Sequence, residues 1–188
     1  MRKSVERGKQ QGFTLLETMV ALCVLGIGLI ALAAMLAGSM AYMNSSQADF
    51  IAQQKASEAI ESIFTARDTQ AVTYAQIQNV STGGIFLDGP ENLIDPGADG
   101  VVDTADDNAA LPDTIIKPGP DGILGTADDV AMSLGNFTRQ IQINTVLEAD
   151  GVTIDPNLKQ IVVTVSYSTG TSTVPRTYSV NALISAFH

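Results

Sequence analysis

The spacing of apolar side chains divides the chain into stretches of different period. Residues 13–43 are apolar almost throughout, Glu17 is their one charge, and 19–43 carry none. That exceeds the roughly 20 apolar residues that cross a bilayer. Beyond it, Ala48, Ile51, Ala52, Ala56, Ala59, Ile60 and Ile63 recur at three- and four-residue steps, with Lys55, Glu58 and Glu61 on the other side. One helix is therefore predicted from about Phe13 to about Ala66, spanning in its first half (13–43) and amphipathic in its second (44–67). The period changes to two in the C-terminal third. Residues 137–146 read as one strand, and 159–168 as a second that alternates Ile161, Val163, Val165 and Tyr167 against Val162, Thr164 and Ser166. A turn at 168–172 and a third strand at 174–184, with Tyr178, Val180 and Ala182, complete a sheet region placed at 137–186.

Composition narrows the function. The 188 residues hold no Trp, one Cys (Cys23) and one His (His188). A single Cys makes no internal disulfide or thiolate metal site, and a lone His is a poor anchor for a triad or a zinc site. The formal charge of −10 argues against a nucleic-acid partner, which calls for clustered Lys and Arg. No acid, base and nucleophile converge in the pattern. Adjacent pairs such as Asp106-Asp107 and Asp128-Asp129 lie in turns, where neighbours seldom face one another, so no enzyme is expected.

The charge is also unevenly placed. Arg2, Lys3, Arg7 and Lys9 against Glu6 give residues 1–12 a net +3. By the positive-inside rule the N-terminus is cytoplasmic and the rest lies across the membrane. Hydropathy alone suggests a plain signal anchor. Glu17 does not fit one, because a carboxylate at full depth in a spanning helix costs about 2.5–3.5 kcal/mol and calls for a partner.

The stretch Gly12-Phe13-Thr14-Leu15-Leu16-Glu17, behind a basic leader and ahead of an uninterrupted apolar helix, resembles the processing site of type IV prepilins and type II secretion pseudopilins. The resemblance implies a leader at 1–12, cleavage by prepilin peptidase between Gly12 and Phe13, N-methylation of Phe13, and Glu17 as the assembly glutamate. Glu17 of one subunit would pair with the terminal ammonium of a neighbour, so that each buried charge finds a partner. A carboxylate capping its own helix N-terminus is the alternative. The run from Ala21 through Gly26-Ile27-Gly28-Leu29-Ile30 to Ala33 is most similar to the type IV pilus modification minor pilins, the PilV-like group. The fold implied is α+β: a type IV pilin fold, its long N-terminal helix packed on a C-terminal antiparallel sheet, with a globular head at 68–188.

The head carries an internal repeat. The segment 96–107 (PGADGVVDTADD) matches 118–129 (PGPDGILGTADD), displaced by 22 residues. Residues 88–129 hold eleven carboxylates against Lys117 alone, a net −10 equal to that of the whole chain. Laid on the twelve-residue calcium loop, the first copy offers Asp95, Asp99, the Val101 carbonyl, Asp103 and Asp106. The second, with Lys117 at its opening place and Gly125 at the ninth, offers Asp121, the Ile123 carbonyl, Asp128 and Asp129. The copies resemble extracellular Asp-Gly calcium repeats, and mutual repulsion of so many acids favours a Ca2+ ion among them. A solvated, turn-rich loop is the alternative.

The expected function is a minor structural subunit of a type IV pilus. Its partners would be other pilins, prepilin peptidase, the inner-membrane assembly platform, and the membrane through 13–43. It would sit in the inner membrane with its head periplasmic before assembly, and on the cell-surface pilus afterwards. The alternatives are an I-type minor pseudopilin of type II secretion and a calcium-dependent adhesive tip subunit.

Overall fold

The computed structural model of the chain describes residues 14–168 and 174–187. Gly12, Phe13 and most of the turn expected at 168–172 lie outside them. The chain divides into two compact units, Met1–Met43 and Asn44–His188, and α1 (Leu15–Asp68) contributes to both.

In the first unit the described residues form the opening half of α1. Thr14 starts it: the Glu17 backbone N–H donates to Thr14 Oγ1 at 3.3 Å, satisfying one of the free donors of the first turn. Two hydroxyls in the apolar stretch bond back onto the helix, Thr18 Oγ1 to the Leu15 carbonyl (2.8 Å) and Ser39 Oγ to that of Met35 (2.9 Å). Neither then asks for a partner in an apolar surrounding. The leucines, isoleucines and methionines of this half are exposed all round, and α1 is long and apolar enough to cross a membrane. At 1.5 Å per residue, 19–43 extend about 37 Å, more than the roughly 30 Å of a bilayer core.

The second unit has its own core. Ile51, Ala52, Ala56, Ala59, Ile63 and Ala66 form one buried face of α1 and part of this core. Eight strands follow among the described residues: β1 (Glu91–Asn92), β2 (Ile94–Asp95), β3 (Asn108–Pro112), β4 (Thr114–Lys117), β5 (Val130–Ser133), β6 (Phe137–Leu147), β7 (Ile154–Tyr167) and β8 (Arg176–Ser185). The main sheet has the order β1-β6-β7-β8, antiparallel throughout. Its register stacks Phe137 beside Tyr167, Arg139 beside Val165 and Tyr178, Ile141 beside Val163 and Val180, and Ile143 beside Ile161 and Ala182. These rows make the core face. The architecture is α+β, a long helix packed on an antiparallel sheet, in keeping with the pilin fold.

The helix and the three long strands lie where the periodicity puts them, with one extension. β7 starts at Ile154, five residues before the alternation becomes visible, because the register slips between Thr145 and Val146 where Pro156 cannot donate to a ladder. The segment between α1 and β1 adds Val72, Ile77 and Phe86 to the core. Its Asn79 side chain closes the β6 edge as a short strand would, donating to the Ile141 carbonyl and accepting from the Ile143 N–H, both at 2.8 Å.

Candidate functional site

Two regions carry the candidate chemistry: the start of α1 and the acidic repeat. Gly12 and Phe13 lie outside the described residues. Glu17 stands exposed in the first turn of α1, and its carboxylate bonds no other described residue. Thr14, not Glu17, makes the described side-chain cap.

The repeat is a duplicated hairpin. β2 and β3 pair across the first copy, and β4 and β5 across the second. Several internal bonds coincide at the 22-residue offset. The Val101 N–H donates to Asp99 Oδ1, as the Ile123 N–H does to Asp121 Oδ1, both at 2.8 Å. The Asp103 N–H donates to Asp107 Oδ2 (2.7 Å) and the Gly125 N–H to Asp129 Oδ2 (2.6 Å). Thr104 Oγ1 faces the Val101 carbonyl and Asp106 Oδ1, and Thr126 Oγ1 faces the Ile123 carbonyl and Asp128 Oδ1. Gly100 and Gly122 share left-handed φ values of 70° and 71°. A Cβ at Gly97 or Gly119 would run into Asp106 or Asp128, which explains the second shared glycine.

The copies part in backbone at Gly97, which is left-handed (φ 69°) where Gly119 is not, and in chemistry at one further place. Where the second has Gly125 in the left-handed region (φ 90°), the first has Asp103 (φ 59°). Aspartate tolerates that conformation better than most residues. Here its carboxylate turns inward to Arg139, with Nη2 2.8 Å from Oδ1 and Nε 3.2 Å from both oxygens. The pair is almost wholly out of solvent, 1% exposed at the Arg139 side chain and 2% at Asp103. Asp103, expected as a ninth-place calcium ligand, is therefore half of an internal ion pair that fastens the loop to β6.

Other expected ligands answer donors in the loop. Asp95 Oδ1 accepts the Gly97 N–H (3.0 Å), and Asp99, Asp106, Asp121, Asp128 and Asp129 accept as described above. The Thr126 hydroxyl holds the Asp128 carboxyl below its usual range, whereas burial, with the Asp103 charge, pushes Asp107 up against the bonds from the Asp103 N–H and from the Thr104 hydroxyl and N–H. Much of the repulsion expected among these acids is thus offset by N–H and O–H donors. Among the described residues no group of three or more His, Cys, Asp or Glu side chains is gathered as a metal site.

Arg139 was not singled out from the sequence, and Lys55, expected on the polar side of α1, is buried instead. Arg139 shares the inward parity of Phe137 and Ile141, a placement that demands a buried acid. Lys55 lies on the buried face of α1 and meets Asp113, between β3 and β4, at 2.6 Å and Glu58 at 2.9 Å. Burial pulls the Lys55 ammonium down, but the bonds to Asp113 and Glu58 outweigh it and hold it above the ordinary lysine range.

Residues 7–33 match the family model of the prokaryotic N-terminal methylation motif. No curated protein and no solved structure matches the chain. The match is to the N-terminal motif alone; with the apolar helix behind it, it supports a type IV pilin-like or pseudopilin N-terminus of the kind that prepilin peptidase processes.

Proposed function

We propose that the protein is a minor, non-catalytic subunit of a type IV pilus, closest to the PilV-like group. Gly12-Phe13 is its cleavage and methylation site, and Glu17 its assembly residue. The observation that carries this reading is the methylation motif at residues 7–33 leading directly into a helix able to span a bilayer. A carboxylate at the start of that helix that bonds no other described residue supports the role of Glu17, since the ammonium of a methylated Phe13 in a neighbouring subunit would pair with it. Other pilins and the inner-membrane platform are then its partners, first in the inner membrane and later in the surface filament. Shearing and purifying filaments tests the reading: the chain co-purifies at a small fraction of the major subunit. Its absence from pili, with presence in a secretion complex, would favour the pseudopilin.

Calcium at the acidic loops belongs to the proposal with a smaller ligand set, because Asp103 is engaged by Arg139. The support is the repetition itself, together with Asp129 Oδ1, which is shielded and has no donor. Calorimetry decides it: a heat of calcium binding lost in Asp129→Asn supports the site, and no heat leaves solvated turns.

A further inference from the structure

The twin hairpins share one scaffold but not one environment. In the first loop the apolar pair Val101 and Val102 is 1% and 3% exposed, covered by this chain's own core. The Leu87 N–H bonds the Asp103 carbonyl at 2.8 Å, and Arg139 holds its carboxylate. At the equivalent places of the second loop, Ile123 and Leu124 are 60% and 62% exposed. Scattered exposed apolar residues are ordinary. These two are larger than their buried twins, adjacent, and held by the same internal bonds. Ile116 and Val130 of the same hairpin are exposed as well.

We propose that the second loop is a docking element for another protein, placing Ile123 and Leu124 in an apolar seat rimmed by arginine or lysine. The first loop shows what such a seat consists of, an apolar surface with a guanidinium that meets the loop's carboxylate. In the second loop Gly125 offers no carboxylate at the centre, while Asp121 and Asp128 are exposed beside the apolar pair. The cation belongs at the rim. A second copy of this chain supplies a poor seat, because the chain carries −10 and its exposed Arg176 and half-buried Lys117 are engaged by Asp49 and Gln47. Because the loop is already ordered by its own bonds, docking fixes few further rotamers. The inference does not depend on membership of a filament.

The test places a photo-crosslinking residue at Leu124 of the full-length chain in the cells that make it, with chelator present because calcium at the same acids would compete. Ser179, exposed on the outer face of β8, is the control position. The expected result is a cross-link from position 124 to one other protein, at a peptide with apolar residues and a Lys or Arg. Its yield falls at least tenfold on Ile123→Ser, declines with added salt as rim charges are screened, and falls again when that Lys or Arg is changed to Glu. The melting temperature stays unchanged on Ile123→Ser and drops on Val101→Ser, separating docking from folding. Cross-linking no greater than at Ser179, cross-linking only to lipid or to a second copy of this chain, or a yield indifferent to Ile123→Ser overturns the inference.

Discussion

Replacing Asp103 with glycine makes the first acidic loop read like the second, and the structure gives the size of the penalty. The substitution leaves the Arg139 guanidinium buried with no countercharge, and breaking such a pair costs about 3–5 kcal/mol. Glycine returns part of this, about 1 kcal/mol, by relieving a side chain held at φ 59°. The net loss should be about 2–4 kcal/mol. Urea unfolding of the Asn44–His188 unit, which contains the whole buried core from Ile51 to Ile184, measures it. Arg139→Met should lose a comparable amount by stranding Asp103. The double variant Asp103→Gly/Arg139→Met should lose less than the sum of the two single losses, by a coupling of about 2 kcal/mol. Gly125→Asp, the reverse exchange in the exposed loop, has no arginine to meet and should cost only about 1 kcal/mol of backbone strain. An Asp103→Gly variant within about 0.5 kcal/mol of the parent, or single losses that simply add, would refute the reasoning.

Two further outcomes follow from the same structure. Lys55→Met should destabilise the Asn44–His188 unit by about 2 kcal/mol, between the values for exposed and buried pairs. Because folding raises the Lys55 pKa, its contribution is full below the unfolded lysine value near 10.4 and is lost as the pH climbs through the folded one. The difference between parent and Lys55→Met in urea midpoint should therefore shrink in strong alkali and stay constant from pH 6 to 9; a constant difference throughout would contradict it. Glu17→Val should still be cleaved and inserted, since losing a charge favours the bilayer, yet be missing from sheared filaments; equal incorporation of parent and variant would remove the assembly role from Glu17.

How much of this was legible in advance depended on the range over which each feature is encoded. Helix α1 and strands β6, β7 and β8 announce themselves because each repeats a period over ten or more residues. β2 is two residues long and β4 and β5 four each, too short to show a period, so the hairpins around the repeat are invisible in the sequence although the repeat itself is plain. Loop spacing put Asp103 among calcium ligands, while its actual partner stands 36 residues away on β6. No local template reports such a contact. The parity of Arg139 between Phe137 and Ile141 was the available signal, since an arginine on a core face implies an acid opposite. The exposure of Ile123 and Leu124 had no signal in the sequence, because their twins have nearly the same composition and are buried.

The central claim is that the chain is matured as a type IV pilin-like subunit, and the N-terminus of the membrane-extracted protein tests it most directly. Intact-mass and N-terminal analysis should find a chain that begins at N-methylated Phe13, having shed the leader's net +3 and reached a formal charge of −13. A bulky residue in place of Gly12 should leave the leader attached. A chain that still begins at Met1 in cells with active prepilin peptidase would contradict the account.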